Sequence, residues 1–323
     1  MKKLIASLLL TLCGTVLAND YPTKPIQIVI PMPPGGAFEI SFRTMFDRLQ
    51  KQTGWNFVIV NRPGASQVVA ANIVAKAPPD GYTLFAGEIE IATSAPLVYT
   101  KLPFDPSDLI PVSGIVRNNS LLVLAPVSFP PNNLKELIEY ARANPGKVTF
   151  GTNGAGLPFH MAMESFAAKH NLKLTHVPFK GLPPGITAVM GGEISLMFAG
   201  EVQGLNLIKT GRVKAITISG AERIADLPGV MTSTEQGEPE LYWNNRTIML
   251  APAGTPADIV NKIQAEIEKL QRNPDYAKTD LKTFNFSPYI RNPSAMAKDI
   301  DTIKARNKRI LDSINFEASS SPN

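Results

Sequence analysis

The chain has 323 residues, 44% of them hydrophobic and 18% charged, with a formal net charge of +5. That length exceeds one ordinary core and suits two domains, and the balance excludes a disordered chain. The positive charges are spread without a Lys/Arg block, which argues against a nucleic-acid partner, while a mild positive field favours small anions.

The first eighteen residues read as a secretory signal peptide. Lys2 and Lys3 form its positive start, Leu4 to Leu12 its apolar core, and Val16-Leu17-Ala18 a cleavage site before Asn19. A lipoprotein reading would use Cys13, but Leu12 is bulky where small residues are usual. Cys13 is the only cysteine, so the processed chain is expected to have no disulfide, thiol nucleophile or cysteine metal site. No later apolar run reaches membrane-spanning length.

Ile26 to Ile30 predicts a buried strand, followed by the turn Pro31-Met32-Pro33-Pro34-Gly35-Gly36. Phe38, Phe42, Met45, Phe46 and Leu49 then recur at helical spacing. Strand, glycine turn and helix together aim unpaired backbone N–H groups at one spot, a general way to hold a small anion. Phe57 to Val60 predicts a strand, Asn61 to Ala65 a turn, Gln67 to Ala77 a helix, and Tyr82 to Ala86 the next strand. Leu121 to Ala125 follows as a strand, and Leu134 to Ala143 as a helix stopped by Pro145-Gly146. Val148 to Gly151 runs into a second glycine loop, Thr152-Asn153-Gly154-Ala155-Gly156-Leu157-Pro158, and a helix to His170. Leu174 to Val177, Ile194 to Phe198 and Val213 to Ser219 are further strands, and Thr255-Pro256 starts a helix to Gln271. The rhythm is that of α/β domains with largely parallel sheets, and the polar tail from Glu317 is expected to fray. In open α/β sheets ligands bind beyond the carboxyl ends of strands. Each glycine loop alone is compatible with an ordinary turn; two of them on two halves point to a cleft.

The chain resembles the substrate-binding proteins of tripartite tricarboxylate transporters, the Bug or TctC-like family. The residues that carry the resemblance are Tyr21-Pro22-Thr23-Lys24-Pro25-Ile26, Pro33-Pro34-Gly35-Gly36, Val60-Asn61-Arg62-Pro63-Gly64-Ala65 and Pro79-Asp80-Gly81-Tyr82-Thr83-Leu84. Leu102 to Pro106, His176-Val177-Pro178-Phe179-Lys180-Gly181, Gly191 to Ile194 and Ala251 to Pro256 follow in family order. The resemblance implies a two-lobed periplasmic-binding-protein (type II) fold with a ligand cleft between lobes, closing by hinge motion. Lobe one would comprise residues 19–124 plus 249–323, and lobe two 125–248. It further implies capture of a carboxylate in the periplasm of a Gram-negative bacterium, by a monomer that is not an enzyme, uses no cofactor, and docks on membrane permease subunits. An orphan receptor reporting to a sensor kinase is the alternative.

On this resemblance the ligand-binding candidates are Gly36, Ala37, Phe38 and Glu39 in the first loop, with the N–H groups of 37–39 as the grip. Thr152, Asn153, Gly154, Ala155 and Gly156 form the second loop, with the N–H groups of 154–156. Four segments depart from the family pattern. Glu39 stands for an aspartate, Glu88 and Glu90 for small or hydroxyl residues, Ala199 for an aspartate with Glu201 two residues on, and Arg246 for a tryptophan, with Trp243 upstream. Four glutamates at a cleft mouth would repel a di- or tricarboxylate and suit an amino-bearing, cationic or polyol-like ligand. Glu88 and Glu90 are equally readable as a solvated rim, Phe38 as a ligand contact or a helix staple, and Arg246 as a partner for one glutamate. His160, His170 and His176 complete no zinc motif, no Gly-x-Ser-x-Gly elbow occurs, and Met161, Met163 and Phe166 read as a helix core face.

Overall fold

The computed structural model describes residues 21–154, 157–179, 182–241, 243, 245–314 and 316–320, so the expected signal peptide lies outside the described residues. In chain order the elements are β1 (Ile26–Ile30), α1 (Ala37–Thr53), β2 (Phe57–Asn61), α2 (Val68–Ala75), β3 (Thr83–Glu88), the single turns α3 (Glu90–Thr93) and α4 (Ala95–Val98), and β4 (Leu109–Asn118). Next come β5 (Ser120–Pro126), α5 (Leu134–Ala143), β6 (Val148–Thr152), α6 (Pro158–Lys169), β7 (Leu174–Pro178), α7 (Leu182–Gly191), β8 (Leu196–Gly200), α8 (Glu201–Lys209) and β9 (Val213–Gly220). The chain finishes with β10 (Arg246–Pro252), α9 (Ala257–Gln271), β11 (Phe286–Pro288) and α10 (Pro293–Ser313).

Local chemistry sets these boundaries. In α1, Phe42, Met45, Phe46 and Leu49 form one buried stripe, each worth about 1.5–3 kcal/mol of apolar burial. The helix ends where Gly54 adopts a left-handed φ of 74° and returns its N–H to Gln50 O. The Asn133 side chain caps α5 by accepting from Glu136 N, and Asn292 caps α10 by accepting from Ala295 N, with Pro293 in the first turn.

The strands form two sheets, ordered β11-β4-β10-β3-β1-β2 and β7-β6-β8-β5-β9. In the first, β2 and β3 flank β1 in parallel; in the second, β7 and β8 flank β6 in parallel. The edge strand β11 runs against β4, and a crossing strand in each sheet runs against both of its neighbours: β10 between β3 and β4, and β5 between β8 and β9. These two are the strands by which the chain changes lobes, so the sheets are mixed rather than largely parallel. The expected lobe limits shift for the same reason. The chain changes sheets at Asn119, ahead of 124/125, and has returned by Arg246, ahead of 248/249. The continuous apolar run Leu121 to Ala125 hides that boundary; the polar Arg117-Asn118-Asn119-Ser120 marks it.

Each sheet is covered on both faces. Lobe one has a core under α1 and α9 and another under α2 and α10; lobe two has one under α5 and α6 and another under α7 and α8. Helix α10 serves both lobes, placing Met296 in a lobe-one core and Leu311 in a lobe-two core. The tail is docked through Ser319, whose N–H donates to Val98 O (2.9 Å) while its O accepts from Thr100 N (2.9 Å). The expectation of a frayed tail therefore fails for residues 317–320, because two backbone hydrogen bonds hold it.

Candidate functional site

Since β1, β2 and β3 run parallel, their carboxyl ends share one edge of lobe one, as those of β6, β7 and β8 do in lobe two. The segments that end these strands carry the candidate residues.

In the β1–α1 turn, Gly36 occupies the N-cap without a side-chain cap, and the first helical bond runs from Ile40 N to Gly36 O (2.9 Å). The N–H groups of Ala37, Phe38 and Glu39 thus have no partner within the helix. The Glu39 side chain, only 2% exposed, folds back on its own turn. It accepts from Gly35 N (3.1 Å), Arg43 Nε (2.5 Å) and Asn61 Nδ2 (3.3 Å). Burial alone pushes this carboxyl up, but those hydrogen bonds outweigh it and hold its pKa below the ordinary glutamate value. Phe38 stacks on Phe286 of β11, with centroids 4.6 Å apart and planes 18° apart.

The β2–α2 turn is a further element that the site candidates omitted. Gly64 (φ 130°) is followed by three non-glycine residues with positive φ: Ala65 (47°), Ser66 (48°) and Gln67 (79°). Each such residue costs about 1 kcal/mol or more, so the surroundings must hold them. One anchor is the Gln67 side chain, whose Oε1 accepts from Glu88 N (2.8 Å). Gly87 permits this approach, since a Cβ there would fall 2.8 Å from Gln67 Oε1. On the other side, a Cβ on Gly154 of lobe two would stand 3.5 Å from Ser66 Oγ. The lobes meet at this point.

Glu88 and Glu90 are not a solvated rim. Glu90 is 7% exposed, and Asn245 Nδ2 donates to Glu88 Oε1 (2.9 Å). Burial pushes the Glu88 carboxyl up to about 7, with the Asn245 hydrogen bond opposing. Burial and then the Glu88 charge push Glu90 up to about 8 against the pull of Arg246 and Arg306. Arg306 of α10 is itself lowered to about 10, by burial and by the Arg246 charge, and its guanidinium carbon lies 4.0 Å over the Trp243 ring. Glu90 Oε2 is buried without a hydrogen-bond partner. The expected link between Arg246 and a glutamate thus exists as electrostatic attraction to Glu90.

In lobe two, Thr152 closes β6 and is fully buried. Its Oγ1 lies 2.6 Å from His176 Nε2, 3.0 Å from Gly154 O and 3.2 Å from Gly154 N. Asn153 Oδ1 is buried without a partner. Ala155 and Gly156 lie outside the described residues. Ala199 pairs with Leu122 inside a lobe-two core, under α7 and α8. At the start of α8, the Glu201 carboxylate accepts from Ser120 Oγ at the crossing and from Asn285 Nδ2 of lobe one, tying the lobes together. A hollow of about 470 Å³ opens beside this tie, lined by Arg117, Asn118, Ser120, Glu201, Arg223 and Asn285 among others; of the expected residues it includes Glu201 alone. Among the described residues, no three His, Cys, Asp or Glu side chains are grouped to hold a metal, and no helix is long and apolar enough to cross a membrane.

Two sheets joined by crossing strands, with the turn after β2 meeting the turn after β6, define a two-lobed solute-binding receptor. The chain belongs to the tripartite tricarboxylate transporter family receptors, which its residues 41–316 match. That is a family of receptors, not of enzymes. BugT of Bordetella pertussis is 30% identical over 264 residues, 80% of this chain and 79% of BugT. A Cupriavidus necator protein of the gbd 5′ region is 30% identical over 298 residues, 92% of this chain and 89% of that one. Among solved structures, an R. palustris protein with adipate superposes with a TM-score of 0.82 at 29% identity, covering 92% of this chain and 99% of the other. MatC from Rhodopseudomonas palustris with bound malate gives 0.77 at 27% identity, covering 90% and 100%.

Proposed function

We propose that the protein captures a small organic carboxylate that also bears a hydroxyl or amino group, and delivers it from the periplasm to membrane permease subunits. The carboxylate lies against the uncapped N–H groups of 37–39 and the turn after β6. The observation that carries this reading is the meeting of the β2–α2 and β6–α6 turns, where Ser66 Oγ stands 3.5 Å from the place of a Gly154 Cβ. The adipate and malate carried by two structural relatives support the carboxylate.

The second half of the proposal rests on unpartnered buried polar atoms rather than on crowded charge. Glu39 is matched by Arg43, Glu90 faces Arg246 and Arg306, and Glu201 is bonded to Ser120 and Asn285. A plain amine is therefore disfavoured relative to what four free carboxylates would attract. Asn153 Oδ1 and Glu90 Oε2 are left as buried oxygens without partners, one in each lobe. A ligand hydroxyl or amino group donates to Asn153 Oδ1, and a hydroxyl also accepts from Glu90, whose raised pKa keeps it protonated near neutrality.

Calorimetry with malate, aspartate, succinate and adipate tests the class. The hydroxy or amino acid is expected to bind at least tenfold tighter than succinate, and Glu90→Gln to shrink that gap. Equal affinity for succinate and malate, unchanged in the variant, removes the donor group from the proposal. Binding of none of the four removes the carboxylate itself.

A further inference from the structure

The Thr152 hydroxyl has one proton to give and two lone pairs to receive with. Three neighbours stand within reach: Gly154 N, which only donates; Gly154 O, which only accepts; and His176 Nε2, which does either. All three contacts are satisfied in one arrangement. The hydroxyl proton goes to Gly154 O, the Gly154 N–H donates back, and His176 donates through Nε2–H. The opposite tautomer would take the hydroxyl proton and leave the Gly154 carbonyl facing an oxygen lone pair 3.0 Å away.

The surroundings favour an uncharged ring with a fixed orientation. His176 stacks on His160 with centroids 4.0 Å apart and on Phe150 at 5.1 Å, and His160 in turn meets Phe316 at 5.9 Å. Burial, and then the nearby His160, push the His176 pKa down to about 3, so the ring is neutral near neutral pH. Among the described residues, the groups facing this pair include Thr152 on β6, Phe150 on the same strand, Glu164 one turn along α6 (3.6 Å from His160 Nε2) and Phe316 of the tail.

We infer that His176 is a positioning residue for solute capture: its Nε2–H donates to Thr152 Oγ1, and the resulting three-bond knot closes the turn and holds Asn153 where the lobes meet. Both peptide groups of Gly154 are spent inside the knot. The unspent polar group of the described turn is Asn153 Oδ1, buried and unpartnered. His176 never touches the solute; it fixes the residue that does. The inference rests on the proposed function for the identity of what is captured, but the knot itself is testable without a ligand.

Nitrogen-15 NMR of the wild-type protein should show His176 protonated on Nε2 and bare on Nδ1, with the Gly154 amide strongly protected from exchange. His176→Phe keeps the ring stack and removes the donor; His176→Gln restores an N–H near the Nε2 position. Gly154 amide exchange is expected to rise at least tenfold in His176→Phe and to return within about threefold of wild type in His176→Gln. Malate affinity, read by calorimetry, is expected to follow the same order. A proton on Nδ1, or equal exchange in the Phe and Gln variants, overturns the inference. Should His176→Phe fail to fold, the wild-type tautomer and Gly154 exchange in Thr152→Val decide alone. If wild type binds neither malate nor adipate, the proposed function falls while the tautomer still settles the knot.

Discussion

Glu39 and Glu90 are both buried glutamates beyond the ends of neighbouring strands in one sheet, and they sit in opposite electrostatic states. Glu39 is held below the ordinary glutamate pKa; Glu90 is pushed up to about 8. Both feel guanidinium groups. Burial pushes both carboxyls up, far more strongly at Glu90, where Glu88 adds to it; at Glu39 a backbone N–H, Arg43 and Asn61 donate and outweigh the burial, whereas Glu90 leaves Oε2 without a partner. Charge state in these turns thus follows from the depth of burial set against the donors that reach the carboxylate, not from residue type or from position after a strand.

The strongest way to break that contrast is Arg306→Ala, which removes the cation facing Glu90 and stacked on Trp243. We expect a loss of about 3 kcal/mol in urea unfolding above about pH 8, where Glu90 is ionised and loses a facing cation, and a smaller loss near neutrality, where the carboxyl is protonated. A loss below about 1 kcal/mol would show that Arg246 alone suffices.

Next in size is Glu90→Gln. A carboxyl whose folded pKa lies above its unfolded value favours the fold fully below the unfolded pKa, and that contribution is lost as pH rises through the folded pKa. For Glu90 the window runs from about pH 4.5 to about pH 8. Wild-type stability should therefore decline across that window, and the variant should flatten the decline, gaining on the order of 2 kcal/mol over wild type above it. Parallel pH profiles for the two proteins would contradict the raised pKa.

Glu39→Gln sharpens the other side with a smaller effect and the reverse sign. Its folded pKa is lowered, so its contribution is present above the unfolded pKa and lost as pH falls through the folded one. The variant should cost about 1–2 kcal/mol near neutrality, and the gap from wild type should close on acidification, as read by thermal unfolding. Smallest is Glu201→Ala, which frees Ser120 and Asn285. About 1 kcal/mol of stability is expected to go, with a larger ligand-free radius of gyration by small-angle scattering; an unchanged radius would mean the tie does not restrain the lobes.

Much of the fold was legible in the sequence because its signals are local. The stripe Phe42, Met45, Phe46 and Leu49, the stop at Pro145-Gly146 and the start at Thr255-Pro256 each report on a few neighbouring residues. Mixed strand direction was not legible, since β5 and β10 are apolar runs whose orientation depends on which sheet they enter. The site split the same way. The glycine turns could be placed after their strands, but the fate of the glutamates rests on Arg306, Asn245 and Asn285, far away in sequence. The left-handed run Ala65-Ser66-Gln67 gave only a faint signal, Gly64 before it, because side chains other than glycine there are held by tertiary contacts.

Among the described residues, the chain crossings between the lobes lie on one flank. Asn119 is the sole residue between β4 and β5, a longer return runs from Ala221 to Asn245, and α10 lies across both cores. The strands at the far edges, β2 and β7, take no part in the two chain crossings. A gape that pivots beside Asn119 would swing widest at those edges, and a pair of spin labels on β2 and β7 would then travel farther than a pair placed near the pivot.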